Sequence, residues 1–209
     1  MSTTDAQTCS CCEPGSYAES ADWPADVSRM LFEHLERRGF AARSVLEVGS
    51  GYGRFAIGVA LGGAARVTAV ELDDEALDEA EELAEEQGVA GRIEWVEGDG
   101  AEIELDRHDI VVLDRAICCY DDGRRLVAQT LAAAREVYAI TVPESRGLRG
   151  LMNRVVYGTM GLWDDLRGNA RVYLHDVRMM EVLIDGAGFG LVTQECLGKW
   201  HLGVYERRP

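Results

Sequence analysis

Three alternating glycines, one well-spaced carboxylate and a pair of adjacent thiols are the residues of this sequence best suited to chemistry. Gly49, Gly51 and Gly53 alternate with Ser50 and Tyr52 directly after the run Val45-Leu46-Glu47-Val48. Glycine there tolerates positive φ and lets a ligand lie against bare backbone. Glu71 stands 22 positions after Gly49, at the end of the next β-branched run. From that position a carboxylate reaches ribose hydroxyls. The sixth position of the dinucleotide fingerprint G-x-G-x-x-G is Arg54, so no pyrophosphate-specific feature follows.

Other carboxylates gather at the ends of apolar runs. Glu47 and Asp114 close two of them, and Asp99 sits in the turn Gly98-Asp99-Gly100. Such a rim complements a cationic ligand; the same residues also serve as caps or solvated loop positions elsewhere in proteins.

Six cysteines are present, at 9, 11, 12, 118, 119 and 196. In a reducing compartment they are thiols rather than a disulfide framework. Cys9, Cys11, Cys12, Cys118 and Cys119 are candidate ligands for zinc or for a metalloid such as arsenic(III), because thiolates bind soft ions. C-x-C-C matches no standard zinc spacing. The pair Cys118-Cys119 could equally line an organic substrate pocket or act as small buried hydrophobes. Among the four histidines, His175 is the best placed general base, just before a helix beginning near Asp176, where it could also simply pack. His34 and His108 read as structural or surface residues, and His201 begins the last strand. Tyr157, Trp163 and Tyr173 could wall an aromatic substrate or form a small core of their own. Arg146, Arg149 and Arg154 suit a carboxylate substrate or a solvated face.

An alternating series of elements must position these groups. Val27, Met30, Leu31, His34 and Leu35 recur at helical spacing after Pro24 and stop at Gly39. Strands are predicted at Ser44–Val48, Arg66–Glu71, Arg92–Val96, Asp109–Leu113 and Val137–Val142, the last stopped by Pro143. Helices are predicted over about Arg54–Leu61, from Asp73 to near Gly88, and over Asp122–Arg135. This alternation is the signature of a doubly wound α/β sheet, mostly parallel. Residues 144–174 break the rhythm and read as a cap-like insertion of one or two helices. A helix at Asp176–Gly186 and two strands, Phe189–Cys196 and Trp200–Glu206, close the chain. Residues 1–22 read as an irregular, cysteine-containing arm, and 23–209 as a single domain.

Four segments in order resemble class I S-adenosylmethionine (SAM)-dependent methyltransferases. Val45–Gly53 ("VLEVGSGYG") is similar to that superfamily's first motif, and Val67–Asp73 ("VTAVELD") to its second. Arg92–Gly100 ("RIEWVEGDG") is similar to the third, and Asp109–Tyr120 ("DIVVLDRAICCY") to the fourth strand and its active-site loop. With the C-terminal hairpin, the likeness implies a Rossmann-like seven-stranded sheet with an antiparallel last strand. It implies SAM as cofactor and S-adenosylhomocysteine (SAH) as product. Cofactor contacts are then expected from Glu47, Gly49, Ser50, Gly51, Gly53, Glu71 (ribose), Leu72, Asp99 (adenine amine), Gly100, Asp114 and Arg115. Cys118, Cys119, Tyr120 and His175 are expected on the acceptor side. The DRxxCCY loop with a cysteine-rich N-terminus resembles a bacterial and archaeal small-molecule subgroup.

Composition narrows the partners. The 209 residues carry 37 acidic and 21 basic side chains, a formal charge of −16. That balance opposes nucleic-acid binding, which needs a positive surface to release counterions, and opposes docking on anionic membranes. No run of about 18 apolar residues occurs, and Met1–Ser10 has no signal-peptide core, so a cytoplasmic protein is expected. Nine of the carboxylates fall within Asp73–Glu86, where they suit a solvated helix face. The single lysine, Lys199, among many arginines fits a GC-rich genome, and the acidity is compatible with a salt-rich host. The leading expectation is methyl transfer to a small molecule. The alternatives are a metal- or metalloid-binding protein on the same fold and a nicotinamide-dependent oxidoreductase. The sequence does not specify the acceptor or the oligomeric state.

Overall fold

The computed structural model describes residues 26–167 and 172–209, with side chains described outside 160–171. Cys9, Cys11, Cys12, Pro24 and Trp163 lie outside these limits.

Seven strands form one sheet: β1 (Ser44–Val48), β2 (Arg66–Glu71), β3 (Ile93–Glu97), β4 (His108–Asp114), β5 (Ala134–Pro143), β6 (Phe189–Leu197) and β7 (Trp200–Arg207). Their order is β3-β2-β1-β4-β5-β7-β6. β7 pairs antiparallel with both β5 and β6, and every other pairing is parallel. The Rossmann-like α/β expectation, with its antiparallel last strand, is met. Ile110 to Leu113 in β4 are fully covered, as a strand buried on both faces requires. The chain leaves β1 toward β2 on one side and returns to β4 on the other. The switch point therefore lies between β1 and β4, and ligands of such sheets bind outside the strands' carboxyl ends there.

Among the described residues six α-helices cover the sheet: α1 (Asp26–Glu36), α2 (Arg54–Leu61), α3 (Asp74–Glu86), α4 (Gly123–Ala133), α5 (Gly147–Arg167) and α6 (Val177–Gly186). α1 and α2 pack into one core cluster, and α4 and α6 into the other. Asp73, Asp122 and Asp176 each cap a helix by accepting a backbone N–H from Ala76, Arg125 and Arg178.

The start of β5 differs from expectation. α4 stops at Ala133 because β5 begins at Ala134, where it already pairs with His108 of β4; strand pairing overrides a helical pattern there. The break at 144–174 contains one long helix, α5, of 21 residues.

Candidate functional site

The crevice begins at the glycine loop. Gly49, Gly51 and Gly53 all have positive φ, at 77°, 50° and 67°. The N–H groups of Gly49 and Ser50 both donate to the Val70 carbonyl, at 2.8 and 3.1 Å, fastening the loop to β2. The three glycines do different work. A Cβ at Gly49 would fall 2.4 Å from Ala116 Cβ, and one at Gly53 2.4 Å from the Trp95 ring. A Cβ at Gly51 would meet nothing within 4 Å. Two glycines are therefore needed for packing, while the third faces open space.

Glu71 closes the loop from the end of β2. Its Oε2 accepts the Gly51 N–H at 2.7 Å, and its Oε1 accepts the N–H groups of Leu72 (2.8 Å) and Asp73 (3.3 Å). The carboxylate is half-buried and retains lone pairs for further donors. Beside it Leu72 is 56% exposed, an apolar side chain left uncovered at the rim. Asp99, also half-buried, follows β3. Its Oδ1 accepts Ala101 N–H and its Oδ2 accepts the Tyr120 hydroxyl, both at 2.8 Å. Burial and that bond to Asp99 push the Tyr120 phenol up to about 12. Gly100 lets this turn sit on β1, since a Cβ there would fall 2.3 Å from Val48 Cγ1.

Glu47 and Asp114, expected on the rim, lie beneath it. Glu47 is 2% exposed. Burial, followed by the neighbouring Asp114 charge, holds its carboxyl well above the usual range. Its Oε2 finds no hydrogen-bond partner among the described residues. Asp114 is a tie point: Ser28 Oγ donates to Oδ2 and Thr141 Oγ1 to Oδ1, both at 2.5 Å. Thr141 Oγ1 in turn accepts the Arg115 N–H at 2.8 Å, which holds Arg115 at φ 56°, left-handed for a non-glycine residue. Sequence reasoning missed Ser28 and Thr141. A small hydroxyl at the end of the neighbouring strand was the available signal for Thr141; Ser28, 86 positions from its partner, offered none.

The loop after β4 carries the thiols. Cys118 is buried and donates to the Arg115 carbonyl at 3.0 Å, and the two sulfurs lie 3.9 Å apart. Among the described residues, the pair gathers no third metal-ligating side chain. His175 Nε2 bonds the Tyr120 carbonyl at 2.8 Å, so that nitrogen carries the proton and donates. Tyr173 N–H donates to the Cys118 carbonyl at 2.7 Å. The 173–175 segment thus holds the loop in place, and Gly123 makes room for the His175 ring.

A second polar cluster lies beside β5 and β7. Arg146 donates to Glu144 from Nε and Nη2, at 2.9 and 3.1 Å, and to Glu181 from Nη1 at 2.7 Å. Its Nη2 also lies 3.0 Å from His201 Nδ1. Glu144, Cys196 and His201 could together hold a metal ion, but the guanidinium already supplies the positive charge there. Burial alone would raise the Glu144 carboxyl; the Arg146 hydrogen bonds more than offset it, bringing it to about 2. Burial lowers both His201, with Arg146 adding to the effect, and His108, which bonds Asp106 O and Thr68 Oγ1.

These groups set the acid response. A histidine with a depressed folded pKa is protonated first in the unfolded chain, so stability falls as pH drops below about 6.5. Glu144 acts lower, contributing stability above the ordinary glutamate value of about 4.3 that is lost as pH falls toward about 2. Chemical unfolding between pH 8 and 5 is expected to show a declining midpoint, and His201→Gln with His108→Gln should flatten it. A flat profile in the unsubstituted chain would refute the assignment.

Residues 45–141 match the methyltransferase domain family. No well-characterised protein matches the chain by sequence. Magnesium protoporphyrin IX methyltransferase from Synechocystis PCC 6803, solved with SAH, superposes with a TM-score of 0.70 at 15% identity, covering 87% of this chain and 82% of that one. The [4+2]-cyclase SpnF superposes at 0.70 and 13% identity, over 90% and 83% of the two chains. An O-methyltransferase family 2 protein from Planctomyces limnophilus DSM 3776, solved with apigenin, gives 0.63 and 21% identity, over 91% and 63%. The fold is the one these enzymes share. Among the described residues, no helix is long and apolar enough to cross a membrane.

Proposed function

Proceeding from a methyltransferase domain over residues 45–141, we propose that this chain is a SAM-dependent methyltransferase acting on a small-molecule acceptor, with SAH as product. The observation that carries the reading is the Glu71–Gly51 bond. It places a carboxylate with spare lone pairs against the one loop glycine that faces open space, at the sheet's switch point. Glu71 would hold the ribose hydroxyls, Asp99 the adenine amine, and exposed Leu72 would cover one adenine face. Glu47, Ser50, Gly100, Asp114 and Arg115 would frame the methionine end from below and behind. The cofactor supplies an activated methyl on a sulfonium centre.

Methyl transfer is an in-line displacement, in which alignment of the acceptor does most of the catalytic work. Half-buried Cys119 and Tyr120, on the loop after β4, would border the acceptor, while His175 positions that loop through the Tyr120 carbonyl. The charge of −16 supports an acceptor that is not nucleic acid. Cys118, Cys119 and Cys196 are thiols rather than disulfide halves, which supports a reducing, cytoplasmic setting. Isothermal calorimetry is expected to show one site for SAM and one for SAH in mutual competition. Absence of binding at about 1 mM of either would overturn the reading.

A further inference from the structure

Arg38, Arg43, Arg135, Arg207 and Arg208 line one open pocket of about 440 Å³. Two carboxylates, Glu136 and Glu206, share the lining. The chain as a whole carries −16, so five converging guanidinium groups run against its composition. The fold puts them at the pole opposite the glycine crevice. Arg43 directly precedes β1, Arg135 is the second residue of β5, and Arg207 ends β7, which runs antiparallel to β5. The pocket therefore sits at the amino ends of the parallel strands, whereas the crevice lies at their carboxyl ends.

Four of the arginines have a carboxylate partner. Arg38 meets Glu206 at 2.9 Å, Arg43 meets Glu136 at 3.3 Å, Arg135 meets Asp109 at 3.5 Å, and Arg208 meets Asp185. Such solvent-facing pairs are weak and exchange partners at little cost. Arg207 is different. It donates to backbone carbonyls, those of Arg135 (2.5 Å), Ala134 (2.7 Å) and Ala187 (3.4 Å), and its guanidinium lies 4.3 Å from the centre of the Phe189 ring. Among the described residues it pairs with no carboxylate. A planar cation fixed by carbonyls, with N–H donors to spare, is prepared for an oxyanion. The acidic helix α3 packs on β2 and β3. β3 and β5 are four strand spacings apart, about 19 Å, well beyond the screening length of about 8 Å. The local arginines therefore set the potential of the pocket.

We propose that this pocket binds a compact phosphate-class anion, either pyrophosphate or the phosphate group of a small ester. Guanidinium forks engage phosphate oxygens two at a time, and the volume falls in the range of small-ligand sites. An anion of two or more charges is needed to compete with Glu136 and Glu206 for the same guanidinium groups. The site neither uses nor needs the methyl-transfer machinery.

Calorimetry on the full-length chain at low salt tests this, with pyrophosphate and glycerol phosphate titrated separately. At least one of them is expected to bind a single site with Kd below about 1 mM, and the tighter one tells whether a double or a single phosphate group fits. Arg43→Gln with Arg208→Gln should weaken binding at least tenfold and leave the thermal midpoint unchanged, because both make solvent-facing pairs. Arg207→Lys keeps the charge but loses the fork, and should also weaken binding. Chloride at about 0.5 M should lower the affinity of the unsubstituted chain at least tenfold, a check that needs no variant. SAH should leave that affinity unchanged. Absence of binding by both anions, or equal affinity in the substituted chains, overturns the proposal. So does displacement of the anion by SAH, which would move it into the crevice.

Discussion

Gly53→Ala is expected to lower the unfolding free energy by about 2–5 kcal/mol, the sum of a left-handed backbone imposed on alanine and an overfilled contact. Gly53 has φ 67° and caps α2 with no side-chain bond. A methyl there falls 2.4 Å from Trp95 Cη2 and 2.8 Å from Ala80 Cβ, so β3 or α3 must move to admit it. In a chain of 209 residues this corresponds to roughly 5–20 °C in Tm. Gly51→Ala is the internal control. It has the same hand of backbone but open space, so its stability loss should stay near 1–2 kcal/mol while its Cβ obstructs the cofactor's approach. A urea titration of both variants decides the matter. Equal midpoints would mean that Trp95 yields and that packing at Gly53 is not what demands glycine.

Glu71→Ala is expected to weaken SAM binding by about 1.5–3 kcal/mol, or roughly 10- to 150-fold in Kd, the loss of hydrogen bonds to a charged group. The substitution removes the ribose acceptor and also frees the N–H groups of Gly51, Leu72 and Asp73 that now end on its two oxygens. Glu71→Gln separates the two effects. Its amide oxygen can still accept from the loop, but the charge is gone and one oxygen becomes a donor. Calorimetry on both variants should rank wild type, glutamine and alanine in that order. An unchanged Kd in Glu71→Ala would remove Glu71 from the site, and with it the main support for the cofactor's placement.

Much of this architecture was legible in the residues because its signals are local. The glycine turn between an apolar run and a helix, the buried run before Asp114 and the capping Asp73 each depend on neighbours a few positions away. Strand limits were least legible where pairing decides them, as at Ala134, whose partner His108 is remote in sequence. The site divides the same way. Glu71 and Asp99 stand at the crevice; the spacing of Glu71 from the glycines suggested its place, and the turn Gly98-Asp99-Gly100 marked Asp99. Glu47 and Asp114 end apolar runs just as plausibly, yet burial places them below the rim, and nothing in a strand's own sequence tells rim from floor. His175 looked like a free base because its partner, the Tyr120 carbonyl, is a backbone atom 55 positions away. The Glu144–Arg146–His201 cluster was invisible for a similar reason: it joins β5, α6 and β7.

The bonding of Asp114 has a consequence for cooperativity. One carboxylate joins the first turn of α1, the end of β4 and the end of β5 through two hydroxyls. It also adjoins Glu47, whose protonated state it favours. Undocking α1 would strip Asp114 of Ser28 and leave a buried charge half-satisfied directly under the glycine loop, a costly state. The first helix and the floor of the crevice are therefore expected to open together, with correlated protection in hydrogen exchange.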